Sequence, residues 1–159
     1  MAATHAYEVT VEWTGNLGEG TRDHRAFSRA HEVLAGAKPP IAASADPAFR
    51  GDEERWNPEE LLLSALAQCH MLWYLHLCSV RGVVVTAYED HATATMTMDA
   101  AGGGGAFTEA VLRPEVTVAD ESTAETARAL HAEVPGLCFI ARSVNFPVRH
   151  EPVVRTGAA

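Results

Sequence analysis

The 20 positions from Leu61 to Val80 contain no Asp, Glu, Lys or Arg, and any fold this chain adopts must bury or cover that run. Asn57-Pro58-Glu59-Glu60 stands immediately before it. An Asn can accept a hydrogen bond from the free amides of a first helical turn. Pro58 suits the first helical position, and Glu60 at the third completes a capping box. Glu59 and Glu60 also fall at the positive end of the helix dipole. Arg81-Gly82 supplies a stop, so the pattern predicts a helix from Asn57 to about Arg81. Its length would span a bilayer. However, Ser64, Gln68, His70, His76 and Ser79 interrupt the run, and strand-like segments that must share a core flank it. A buried central helix is the expectation, not a membrane span.

Around that helix the periodicity is that of strands. Tyr7, Val9, Val11 and Trp13 alternate with polar residues, and a second alternating stretch covers Phe27 to Val33. Ala35 to Asp52 reads as a loop. Beyond the helix, Val83-Val84-Val85 opens a β-rich region, Thr93 to Met98 alternates, Gly102 to Gly105 turns, and Phe107 to Val118 returns. Pro114 suggests a bulge or an edge. Ser122 or Thr123 can cap a helix through Glu133, and Pro135-Gly136 breaks it. A short helix carrying Cys138 and a last strand, Phe146 to His150, follow. The expected fold is a single α+β domain over residues 1–159, with antiparallel sheets packed around one long buried helix.

Twelve Lys and Arg against 21 Asp and Glu give a formal charge of −9, which argues against nucleic acid as a partner. Met1 to His5 carries neither a basic region nor an apolar run, so no leader is expected. Three cysteines cannot all pair within one chain, and they read as thiols in a reducing cytoplasm.

Cys69 sits within the apolar helix, where a lone cysteine is by default a small core residue. Cys78 comes nine residues later and faces nearly the opposite way, so the two cannot bridge across one helix. Cys138 follows the Pro135-Gly136 break, close to an expected helix start whose dipole would favour thiolate. Spacing alone neither requires nor forbids its contact with Cys69. Glu59 compensates the helix dipole or, on a sharper reading, orients a cation in a site. Arg22, Arg25 and Arg29 crowd the second strand and its entry loop; a guanidinium there could hold a cysteine as thiolate. The eight histidines form no recognisable ligand set, and adjacency in a helix does not aim His70 at Cys69. No metal or cofactor is expected.

Asn57-Pro58-Glu59-Glu60-Leu61-Leu62 followed by Ala67-Gln68-Cys69-His70 resembles the central-helix signature of the OsmC/Ohr family of thiol-dependent peroxidases. Cys138 with Ser143-Val144-Asn145-Phe146-Pro147-Val148 resembles that family's second-cysteine segment. Trp13-Thr14-Gly15 and Gly20-Thr21-Arg22-Asp23 are similar to further family features. The resemblance covers most of residues 6–150. It implies an intertwined homodimer with active sites at the subunit interface. It also implies a reaction: Cys69 thiolate attacks a hydroperoxide and becomes a sulfenic acid, Cys138 condenses with it, and an external dithiol or lipoyl-type thiol reduces the disulfide. Glu59 matches the family's glutamate. Arg22 best matches the arginine it pairs with, with Arg25 and Arg29 as substitutes. Cys-His-Met and the aromatic Trp73-Tyr74 depart from the dedicated organic-hydroperoxide group and are closer to OsmC-like branches.

The leading functional expectation is therefore a peroxidase for organic hydroperoxides or hydrogen peroxide. A non-catalytic stress or small-molecule-binding protein on the same fold is the alternative, and a cysteine hydrolase using Cys69 with a distant His is a third.

Overall fold

Helix α1 runs from Pro58 to Val80. The capping box forms: the Glu60 amide donates to Asn57 Oδ1 at 2.8 Å, and the Asn57 amide donates to Glu60 Oε2 at 3.3 Å. At the other end Gly82 adopts φ +72°, and the Val83 amide donates back to the Cys78 carbonyl at 2.9 Å. That is a left-handed glycine stop. The computed structural model describes residues 3–100 and 102–157; Met1 and Ala2, part of the stretch read above for a leader, lie outside them. The chain divides between Leu62 and Leu63 into two compact units.

The first unit carries an antiparallel sheet of β1 (Thr10–Trp13), β2 (His31–Leu34) and β3 (Ile41–Ala43), in the order β1-β2-β3. Both expected strands are present but shorter than their alternation. Tyr7 and Val9 continue the apolar pattern of β1 outside its pairing and stay exposed. The stretch read as a loop holds β3 and a single 3-10 turn at Pro47–Phe49, where Asp46 Oδ1 accepts from the Ala48 amide at 2.7 Å. Gly15 permits a close crossing: a Cβ there would overlap the Ser28 carbonyl, and the Ser28 amide donates to the Gly15 carbonyl at 2.9 Å.

The second unit contains two further three-stranded sheets. One is ordered β4-β7-β9 from Val85–Asp90, Pro114–Val118 and Val153–Thr156. The other is ordered β5-β6-β8 from Thr93–Met98, Gly105–Leu112 and Val148–His150. Each joins an antiparallel pair to one parallel strand: β8 runs parallel to β6, and β9 parallel to β7. The sheets are therefore mixed, where antiparallel pairing was expected. The stretch from Phe107 to Val118 is not one strand. It breaks at Arg113, whose amide donates to Asp90 Oδ1 at 2.7 Å, and Pro114 opens β7 at the one strand position where a missing amide costs least. Val153–Thr156 lies beyond the last strand read from the sequence.

The core of this unit is one apolar cluster. Tyr74, Leu77 and Cys78 of α1 pack with Ala127 and Leu130 of α2 (Ala124–Leu130), with Val134 and Cys138, and with Val116, Val118 and Val154 of the β4-β7-β9 sheet. The buried residues of α1 at 66, 70, 74, 77 and 78 fall on one face. By length and composition α1 could cross a membrane, yet this face is packed into protein. Helix α2 is shorter than expected: Asp120 caps a 3-10 turn at Glu121–Thr123 ahead of it, and α2 ends at Leu130. Pro135-Gly136 does not simply break the chain but sits within another 3-10 turn, Val134–Gly136. Cys138 lies between that turn and a further one at Ala141–Ser143, so the expected second helix is absent.

Candidate functional site

Cys69 and Cys138 meet. Cys69 is half-buried on α1, whereas Cys138 is 2% exposed. The Cys138 thiol shares a hydrogen bond with Cys69, and its sulfur also accepts from the Ala141 amide at 3.4 Å. Burial pushes the Cys138 thiol up, and the contact with Cys69 adds to the rise; the amides of Ala141 and Ile140 pull the other way without offsetting it. The expected helix start that would favour thiolate is not there; two backbone amides do favour the thiolate, but desolvation of the charged sulfur outweighs them. The two sulfurs are unlike in one respect that matters: Cys69 is the more accessible, and burial favours the protonated form of Cys138.

Cys78 is removed from this pair, as helical geometry required. Its thiol lies against the Tyr74 hydroxyl one turn earlier, a weak sulfur contact that leaves the phenol oxygen without a full hydrogen bond. Burial raises the pKa of both groups. Around the Cys69–Cys138 pair the surface is aromatic: the Trp73 and Phe139 rings meet edge-on with centroids 5.7 Å apart, and Phe139 is 66% exposed.

In the first unit, Glu59 and Arg29 line one open cavity of about 320 Å³ together with Trp13, Phe27, His31 and Phe49. Glu59 Oε2 is buried there with no hydrogen-bond partner. The Arg29 guanidinium lies 4.3 Å from the Phe27 ring centroid, and its Nη1 donates to the Phe27 carbonyl at 2.8 Å. Arg22 is not part of this cavity. It is exposed on the entry turn and makes only a 3.5 Å ion pair with Glu19, solvated on both sides. Arg25 is exposed as well, its amide closing a turn on Asp23 Oδ1. Of the three candidate arginines, Arg29 shares a cavity with Glu59.

Three histidines form a feature the sequence did not announce. His70 Nε2 and His131 Nδ1 are hydrogen-bonded at 2.9 Å, with ring planes 7° apart. His150 packs over His70 at 4.8 Å, and Tyr74 stacks on His131 at 3.8 Å. His70 and His131 are each 2% exposed. Burial, then the neighbouring imidazoles, lower His70 to about 4 and His131 to about 3, so both are neutral at pH 7. His131 Nε2 has no partner. The nearly parallel rings do not converge on a common point, and among the described residues no group of His, Cys, Asp and Glu could hold a metal ion. The i, i+4 spacing of His70 and Tyr74 was legible; nothing in the spacing pointed to His131 and His150.

The second unit is an α+β assembly in which a cysteine on the long helix meets a second cysteine from a later loop, and its similarities to known proteins define its class. Residues 51–152 match the sequence profile described as OsmC-like protein, so the chain belongs to the OsmC-like family. An OsmC-like protein of unknown function from Vibrio cholerae O1 biovar eltor is 29% identical, with a TM-score of 0.84 over 94% of this chain and 100% of that one. An organic hydroperoxide resistance protein from Elizabethkingia anophelis, with thiocyanate bound, shares the fold at a TM-score of 0.70 and 12% identity, covering 99% and 100% of the two chains. A putative organic hydroperoxide resistance protein from Vibrio cholerae, with captopril in one of its active sites, shares it at 0.64 and 20% identity, covering 97% and 94%. No curated protein sequence matches significantly.

Proposed function

We propose that this protein is a thiol-dependent peroxidase that reduces organic hydroperoxides, with Cys69 as the attacking thiol and Cys138 as its redox partner. The observation that carries the reading is the hydrogen-bonded Cys69–Cys138 pair, in which the accessible sulfur faces a protonated, buried one. Cys69 thiolate attacks the distal peroxide oxygen; the O–O bond breaks, an alcohol leaves after taking a proton, and Cys69 becomes a sulfenic acid. Cys138 sulfur then displaces the sulfenic oxygen, which departs as water with the Cys138 proton, and a disulfide remains. An external dithiol returns both sulfurs to thiols. Trp73 and Phe139 supply apolar surface beside the pair for an organic R group.

Glu59 and Arg29 complete the reading as a carboxylate–guanidinium set that steadies the peroxide, supplied to each thiol pair by a second copy of the chain. Arg29 takes the role that motif similarity gave to Arg22, because Arg29 shares the cavity with Glu59. The homodimer is part of the proposal. Leu72, Val80, Val84 and Phe139 in the second unit, and Val9, Val11, Trp13 and Trp56 in the first, are exposed apolar side chains that a second copy would cover.

Treating the reduced protein with one equivalent of cumene hydroperoxide and measuring its mass tests the proposal. The expected product is two mass units lighter, with Cys69 and Cys138 joined in peptide maps, and Cys69→Ser abolishes peroxide consumption. Full turnover by Cys69→Ser, or thiols that stay intact in excess peroxide, would refute it.

A further inference from the structure

The segment that carries Cys138 is internally stiff. Short-range backbone hydrogen bonds run along it from Ala132 to Ser143: Ala132 donates to Ala129, Glu133 to Leu130, Leu137 and Cys138 to Val134, Arg142 to Cys138, and Ser143 to Ile140, all at 2.9–3.1 Å. Whatever fixes its start therefore fixes Cys138. Besides the Cys69–Cys138 contact itself, two polar ties among the described residues connect it to α1 and the residue just after α1. One is the exposed Arg81–Glu133 ion pair at 3.3 Å, with both side chains about half in solvent, which contributes little directional hold. The other is the buried His70–His131 hydrogen bond.

That bond sits in a telling place. His70 follows Cys69 on α1, and His131 stands seven residues before Cys138, at the end of α2. The nearly coplanar rings aim an N–H along the ring plane at its partner's lone pair, and Tyr74 and His150 clamp the two rings from their faces. The pair is a poor choice for stability alone. Whichever ring donates, His131 Nε2 stays buried and unpaired. A pair of apolar rings of similar shape would avoid that cost. Apolar burial would also leave the segment freer to slide or rotate, because it has no direction.

We propose that the His70–His131 hydrogen bond is a positioning device that sets the Cys138 segment against α1, and so sets the effective concentration of the Cys138 thiol at Cys69. This rests on the Cys69–Cys138 redox pairing, not on which peroxide the protein reduces. In the pairing step two thiols lose two electrons and two protons to an external disulfide, which becomes a dithiol. The equilibrium constant of that exchange reads the juxtaposition of the two sulfurs directly.

The test equilibrates the protein at pH 7 with mixtures of reduced and oxidised dithiothreitol. Free thiols are trapped, and the Cys69–Cys138 disulfide is quantified by peptide mass. His131→Phe keeps the ring stacked on Tyr74 and removes the hydrogen bond. The expected result is a shift toward the dithiol on the order of threefold to tenfold, the range set by one net hydrogen bond. Tenfold corresponds to about 30 mV for this two-electron couple. The double variant His70→Phe/His131→Phe, with no buried polar atom left in the pair, is expected to melt at or above the wild-type temperature and yet remain shifted. His131→Asn, whose amide holds a polar atom close to the place of Nδ1, is expected to return within about twofold of wild type. A double variant with the wild-type equilibrium, or an Asn variant as shifted as Phe, overturns the proposal. If His131→Phe does not fold, the double variant decides alone. A wild-type protein that stays dithiol in every mixture and also after one equivalent of hydroperoxide instead refutes the cysteine pairing beneath it.

Discussion

Acid should unfold this protein earlier than its carboxylates alone would dictate, and the buried histidine pair sets the size of the effect. In the folded chain His70 is held at about 4 and His131 at about 3; in the unfolded chain both return to 6.5. Lowered folded values mean that the unfolded state takes up protons first. The stability is intact above 6.5 and is lost as pH falls toward the folded values. Over the window from 6.5 to 5 each histidine costs about 2 kcal/mol, at about 1.36 kcal/mol per pH unit, and the two together about 4. Total stabilities of about 5–15 kcal/mol make that a large fraction. The groups facing the pair do not offset it: Tyr74 is a neutral phenol, and His150, itself lowered by burial, adds repulsion of the same sign. Urea unfolding at fixed protein concentration, at steps between pH 7 and 5, measures the slope. His70→Phe/His131→Phe should remove most of it. A wild-type profile flat to within about 1 kcal/mol over that window, or a double variant as acid-sensitive as wild type, would refute the reasoning.

Arg22→Ala should leave peroxide-driven thiol oxidation within about twofold of wild type, since Arg22 is a solvated surface charge. Arg29→Ala should slow the same reaction by on the order of 100-fold in a stopped-flow trace, as loss of one electrostatic stabiliser does. Asn57→Ala removes one half of the capping box and should cost about 1 kcal/mol, read as a melting temperature lower by about 2–4 °C. Leu130→Ala empties a fully buried position between α2 and the core and should cost about 2–5 kcal/mol in urea unfolding, with no direct effect on the sulfurs.

What the sequence disclosed, and what it withheld, divides along the range of the forces involved. The ends of α1 were legible because Asn57, Pro58, Glu60 and Gly82 act on the backbone within one turn of themselves. β5 was legible because Thr93 to Met98 alternates without interruption. The break at Arg113 was not legible, because it depends on Asp90, which reaches the Arg113 amide from another strand. β9 was missed for a related reason: four residues with one buried side chain carry no period, and pairing with β7 defines the strand. At the site, Cys69 and Cys138 were singled out by order and resemblance, whereas the high pKa of Cys138 follows from burial that no local pattern encodes. Which of Arg22, Arg25 and Arg29 shares a cavity with Glu59 could not be read from their spacing, because it depends on how the loop and β2 fold back on the start of α1. His131 and His150 carry no mark in the sequence that links them to His70.

The two parallel strands that finish the sheets of the second unit have a consequence for how the chain is made. Ala110 pairs with Val148 and Glu115 with Val153, each 38 residues further along. As the chain leaves the ribosome, β4–β7 can form their hairpin-like pairings early, but β6 and β7 each keep one open edge until residues 148–156 have emerged. Cys138 emerges within that interval, before the sheet that frames its core is closed. The second unit therefore completes its fold only after residue 156 has emerged. During the wait, the unpaired edges of β6 and β7 are the places where a nascent chain would be most prone to join a neighbour.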